Sequence, residues 1–212
     1  MFGQVTSISR RLFTVVALAL VVPLAGTSAA FAATPAEIFI SDNIQTGLGI
    51  LNNPQLTPAE RSEQFKKLLL GMTDMKRIAV FTLGQYARTA SSPDQDAFAT
   101  AFQNYSIAVY HSYLGRYAGQ TLKITGSSER APDDFIVATN MVDPNDHSGQ
   151  RPLEVDFRVR TDTGKPELTD FSVAGIWLAL EERDQFGSFL NQNHGDIQSL
   201  IIHLHDVTKQ YD

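Results

Sequence analysis

From residue 34 onward the apolar positions of this chain recur at helical spacing, and near residue 121 they change to alternation. Thr34-Pro35-Ala36-Glu37 is a capping box with proline at the first helical position, and it predicts a helix running to about Leu51. Thr57-Pro58-Ala59-Glu60 repeats the device and opens a second helix that ends near Gly71. A third helix is predicted over Asp74 to Arg88. Ser92-Pro93-Asp94-Gln95 caps a longer fourth, which stops near Gly119. Along that fourth helix Phe98, Phe102, Tyr105, Val109, Tyr113 and Tyr117 fall three and four residues apart and form one aromatic-rich stripe.

The period then becomes two. Leu122 and Ile124 mark a first strand, and Phe135, Val137 and Met141 a second. In a third, Leu153, Val155, Phe157 and Val159 alternate with Glu154, Asp156, Arg158 and Arg160, so one face is apolar and the other charged. Thr163-Gly164 turns the chain into a fourth strand that carries Phe171 and Val173 and runs on toward Trp177. Short turns between neighbouring strands imply an antiparallel sheet with one wet face, and the helices must cover the other. The predicted class is therefore α+β with a four-stranded sheet. Glu181-Glu182 then suit a helix N-terminus, with Phe186, Phe189 and Leu190 as its apolar face. Gly195 breaks that helix, and Ile197, Leu200, Ile201, Leu204 and Val207 or Thr208 define the last one.

The N-terminus adds a location. Arg10 and Arg11 precede an apolar stretch from Leu12 to Leu24, small residues follow, and Ala30-Phe31-Ala32 fits a cleavage site. Residues 1–32 read as a signal peptide and 33–212 as a single domain, exported to the periplasm. Ser9-Arg10-Arg11-Leu12-Phe13 also resembles a twin-arginine signal, so general secretory and twin-arginine export both fit. There is no cysteine among the 212 residues, which excludes disulfides, thiol catalysis and a lipid-modified N-terminal cysteine. Removing the two arginines of the signal from the 17 basic residues leaves 15 against 23 acidic ones, a net charge of −8. Phosphate backbones and anionic headgroups would be repelled, so no nucleic-acid partner is expected.

Candidate chemistry is sparse. His203-Leu204-His205 could grip a metal only on a strand; on a helix the two rings lie about 200° apart. His194 beside Gly195 reads as part of a turn, and His147 sits in the polar turn Asp143-Pro144-Asn145-Asp146-His147. Hydrolase, phosphate-loop and dinucleotide motifs are missing. Asp133-Asp134 and Asp156 could be imagined as paired carboxylates, but Asp156 belongs to a charged strand face. No catalytic residue, metal or cofactor is expected. What remains is apolar, and periodicity alone does not separate a filled core from a lined cavity.

A resemblance extends this reading. Met75 to Arg88, with Leu83-Gly84-Gln85-Tyr86 inside it, is followed by Asp94, Phe98 and Phe102 at four-residue spacing. Tyr110, Leu114, Tyr117 and Gly119 come next, then Asp170 to Leu178, then Phe186, Leu190 and Gly195-Asp196-Ile197-Gln198-Ser199-Leu200-Ile201. This succession resembles the toluene-tolerance (MlaC) family, the periplasmic phospholipid carriers of the Mla system. Thr73-Asp74-Met75 and Asn193-His194-Gly195 depart from the usual family pattern. The resemblance implies a twisted antiparallel sheet related to nuclear-transport-factor-like (NTF2-like) folds, with an apolar pocket between sheet and helices.

It also implies a non-enzymatic shuttle that takes a phospholipid between inner and outer membrane and so maintains outer-membrane lipid asymmetry. Its implied partners are an inner-membrane ABC permease complex with an MCE protein and an outer-membrane lipoprotein/porin complex. From the helices the expected lining is Ile78, Phe81, Phe102, Tyr105 and Val109; from the strands, Val137, Met141, Val155, Phe157, Phe171, Val173 and Trp177. Three alternatives stay open: a hopanoid-associated lipid binder of the same family, a small NTF2-like isomerase or hydratase using Asp170 or His194, and a pocketless adaptor.

Overall fold

The protein is described here by a computed structural model that covers residues 33–114 and 117–211. The proposed signal peptide, and with it the export route, lies outside the described residues. The element order is α1 (Pro35–Leu51), α2 (Pro58–Met72), α3 (Met75–Thr82), a 3₁₀ turn (Gly84–Arg88), α4 (Ser92–Leu114), β1 (Thr121–Ala131), β2 (Asp134–Val142), β3 (Glu154–Arg160), β4 (Glu167–Val173), β5 (Ile176–Trp177), α5 (Leu178–Gln192) and α6 (Ile197–Thr208). Both capping boxes form: the hydroxyls of Thr34 and Thr57 accept from the N–H groups of Glu37 and Glu60, and each glutamate carboxylate accepts from its own cap N–H. The cap of α4 is Ser91, one residue before the expected position; its Oγ accepts from the Asp94 N–H at 3.2 Å.

Two sequence expectations change in detail. The third helix is not continuous, because Gly84 adopts a left-handed φ of +57° and the chain tightens into the 3₁₀ turn. The strand carrying Phe171 and Val173 does not run straight to Trp177. Ala174 (φ +52°) and Gly175 (φ +82°) make a two-residue turn with two left-handed positions, the geometry that suits a tight hairpin. Ile176-Trp177 then return as a fifth strand, with Ser172 opposite Trp177 and Val173 opposite Ile176. The sheet is antiparallel throughout, in the order β1-β2-β3-β4-β5.

Register fixes the two faces. Val137 pairs with Phe157 and Phe157 with Phe171, so these three share one apolar face, joined by Phe135, Val155, Val159 and Val173. An irregularity between Arg158 and Val159 shifts the register, so Val159 pairs with Leu168 while Phe157 pairs with Phe171; both β4 residues then face the same side. α1 packs on this face: Ala36 and Ile40 close over Val137, Val159 and Leu168, with Met72 at the end of α2. A separate cluster forms among the helices. Ala79, Leu83, Phe98, Ala101, Phe102, Phe186, Leu190, Leu200 and Leu204 pack around the mutually tilted and edge-on rings of Phe98, Phe102 and Phe186.

Candidate functional site

The opposite face of the sheet is organised rather than merely wet. Arg158 grips the buried Asp134 with two hydrogen bonds of 2.9 and 2.8 Å, and Arg77 from α3 does the same to Asp162 at 3.1 and 2.9 Å. Arg160 joins the pairs, 3.2 Å from Asp162. The hydrogen bonds from Arg158 hold the Asp134 carboxyl below the ordinary aspartate range, and those from Arg77 and Arg160 bring Asp162 down to about 2. Asp133 sits in the β1–β2 turn at φ +61°. Asp134 therefore pairs with arginine, and it forms no two-carboxylate device with its neighbour.

Asp170 is committed to the backbone as well. Its Oδ1 accepts from the N–H groups of Ala179 and Phe171, both at 2.8 Å. Trp177, the cap residue of α5, offers no side-chain acceptor, so Asp170 caps the helix from the neighbouring strand. Burial raises the Asp170 pKa, opposed by those backbone bonds. His194 lies at the break between α5 and α6 with φ +56°. His203 and His205 lie on helix α6, as the periodicity required, and His203 stacks on Phe189 with ring centres 4.7 Å apart.

The apolar residues expected to line a pocket fall into four groups. Ile78, Phe102 and Tyr105 belong to or pack against the helical cluster. Val137 is fully buried in the sheet cluster, with Phe157 packed against it. Val109, Met141, Phe171 and Val173 are half-buried, and Val155 is buried on the same sheet face. Phe81 and Trp177 are not brought to that face. Phe81 is 37% exposed and carries the Arg183 guanidinium 5.1 Å above its ring, while Trp177 stands on the Ser172 side of the sheet.

The two clusters share no residue, and aromatic rings span the seam between them. Tyr110 of α4 lies 5.8 Å from Phe171, which lies 6.4 Å from Phe157. Tyr110 was not among the expected residues, although Phe98, Phe102, Ser106 and Tyr110 follow at a strict four-residue spacing that could have revealed it. In the sequence Glu182 shows only as a charge near the start of a helix. Its Oε1 accepts from the Tyr105 hydroxyl at 3.0 Å, and burial raises its pKa. Two open grooves lie elsewhere: one of about 460 Å³ between α5 and α6, reaching Phe186 and His203, and one of about 400 Å³ at the α2–α3 junction, reaching Gln103 and Glu167. Neither is lined by the sheet's apolar face.

These features define an α+β protein in which a helical layer and an antiparallel sheet each hold their own apolar cluster, with half-buried rings between. The family model described as MlaC protein matches residues 41–206, and the chain belongs to that family. A solved structure from Ralstonia solanacearum, described as a phospholipid-binding protein in complex with a phospholipid, has the same fold. It superposes with a TM-score of 0.72 at 19% identity, over 85% of this chain and 99% of that one.

Proposed function

We propose that this protein is a periplasmic lipid carrier that takes the acyl chains of a phospholipid into the seam between its helices and its sheet. The observation that carries the reading is a line of half-buried rings from α4 to the sheet, Tyr110 to Phe171 to Phe157, beside a sheet cluster and a helical cluster that share no residue. Each buried methylene is stabilised by about 0.8 kcal/mol, so hiding two acyl chains is worth roughly 20 kcal/mol or more. A gain of that size far exceeds the cost of parting a few ring contacts, each worth about 1 kcal/mol beyond its buried area. The chains would enter by separating Tyr110 from Phe171, and would leave both clusters intact.

Membership of the MlaC family and the fold shared with a phospholipid-bound protein support the ligand class. No helix among the described residues is long and apolar enough to cross a membrane, and the acidic surface disfavours lingering on anionic bilayers. Shuttling between the inner and outer membranes, with an ABC permease and its MCE protein at one end and an outer-membrane lipoprotein/porin complex at the other, completes the proposal. The alternative of an isomerase or hydratase loses its two best residues, since Asp170 caps α5 and His194 forms a left-handed turn.

Protein purified from its own periplasm without detergent should yield about one phospholipid per chain on extraction and mass spectrometry. A triterpenoid in its place would transfer the carrier role to hopanoids. Protein free of any lipid that also takes none from labelled vesicles would refute the carrier reading.

A further inference from the structure

Two buried carboxylate oxygens lack a hydrogen-bond partner among the described residues, Glu167 Oε2 and Glu182 Oε2, but Glu167 has Lys165 3.1 Å from its other oxygen, whereas no salt bridge among the described residues involves Glu182. Glu182 opens the second turn of α5, and its Oε2 is buried with no hydrogen-bond partner among the described residues. Its other oxygen is held by Tyr105 at 3.0 Å. The adjacent Arg183, the nearest arginine in the chain, reaches instead over the Phe81 ring. Buried carboxylates are ordinarily paired with a cation or fully hydrogen-bonded, so this one lacks a partner that the fold itself does not supply.

The surroundings say what kind of partner fits. Tyr105 is bonded to Glu182, the Tyr110 hydroxyl is within electrostatic reach of both Glu182 and Asp170, and Tyr211 at the chain's end is within reach of Tyr105. A buried carboxylate that holds a tyrosine hydroxyl but no cation suits an ammonium group, which supplies both the missing charge and a donor for the free oxygen. The location also suits a headgroup. Leu180, two residues before Glu182, is 47% exposed and Tyr211 is 38% exposed, so the position lies just under the surface. Tyr110 then leads inward, its ring meeting Phe171 and, beyond it, Phe157 on the sheet.

We propose that Glu182, hydrogen-bonded by Tyr105, receives the ammonium group of an amine-bearing phospholipid, which places the headgroup at the mouth of the seam and its chains along Phe171 and Phe157. The inference rests on the carrier reading above and adds headgroup selection to it.

The test offers the lipid-free protein vesicles holding equal amounts of phosphatidylethanolamine and phosphatidylglycerol with identical acyl chains, and the bound lipid is measured by mass spectrometry. The wild type should carry the ethanolamine lipid in about tenfold excess. Glu182→Gln, which keeps an acceptor for Tyr105 but removes the charge, should bind lipid with that excess lost. A ligand-side control makes no demand on folding: phosphatidylethanolamine acetylated on its nitrogen carries no positive charge and should lose its advantage on the wild type. Equal loading of the two lipids by the wild type, or a preference that survives both changes, would overturn headgroup selection while leaving the carrier reading intact. Failure of every protein to take up either lipid would overturn both.

Discussion

Asp170 and Gly84 show how single residues hold the frame around the seam. Asp170 supplies from β4 the cap that Trp177 does not give α5, and burial raises its pKa while two N–H groups bind it. Asp170→Ala leaves those donors without an acceptor and should lower the unfolding free energy by about 2 kcal/mol in urea titrations, without abolishing lipid uptake. An unchanged midpoint would refute the cap. Gly84 ends α3 with φ +57°, and a Cβ there would meet Arg183 Nε at 3.2 Å. Gly84→Ala should cost about 1–2 kcal/mol and disturb the Arg183 contact with Phe81. The glycine and the aspartate were both visible in the sequence. What each one does was not, because a cap reaching from strand to helix leaves no local pattern.

Among the elements, the legible parts were those with a strong local signature. Both threonine capping boxes formed where the sequence placed them, and the alternation of β3 gave the correct faces. The fifth strand was missed because Ile176-Trp177 is two residues long and is created by the turn at Ala174-Gly175, not by its own alternation. That turn also explains why Trp177 and Phe171 stand on different faces although both were assigned to one strand.

The charged face of the sheet carries its own prediction. Asp134 and Asp162 have lowered pKa values, so their contribution to stability is present above the ordinary aspartate pKa near 4 and is lost as pH falls through their folded values, near 2 for Asp162. Melting temperature should therefore drop between about pH 4 and pH 2, and Asp134→Asn should flatten that slope. Asp170 and Glu182 act in the opposite sense. With raised values, their contribution is fully present below the unfolded pKa and is lost as pH rises through the folded one. A wild-type melting temperature that stayed level to pH 2 would contradict this assignment of the arginine pairs.

For the whole molecule, the pattern of apolar residues gave a correct fold class, while the residues expected to line a pocket fall in different environments of the fold. Phe157, Phe171, Val173 and Val109 are half-buried, but Phe102 and Val137 are buried at 4% and 0% exposure inside separate clusters. Period and hydrophobicity are the same for a side chain that packs on its own layer and for one that faces a parting surface. Only the three-dimensional grouping separates them. Filling the seam should therefore harm binding more than stability: Val173→Trp should cut lipid uptake about tenfold and move the melting temperature little, whereas Val137→Trp should destabilise the fold by about 1–3 kcal/mol.

The most direct measurement is photolabelling with a phospholipid carrying a diazirine midway along an acyl chain, followed by peptide mapping of the labelled protein. Labels should fall on peptides containing Val109 and Tyr110 of α4 and Phe157, Phe171 and Val173 of the sheet. Labelling confined to the α5–α6 groove beside Phe189 and His203, with the sheet untouched, would contradict the account.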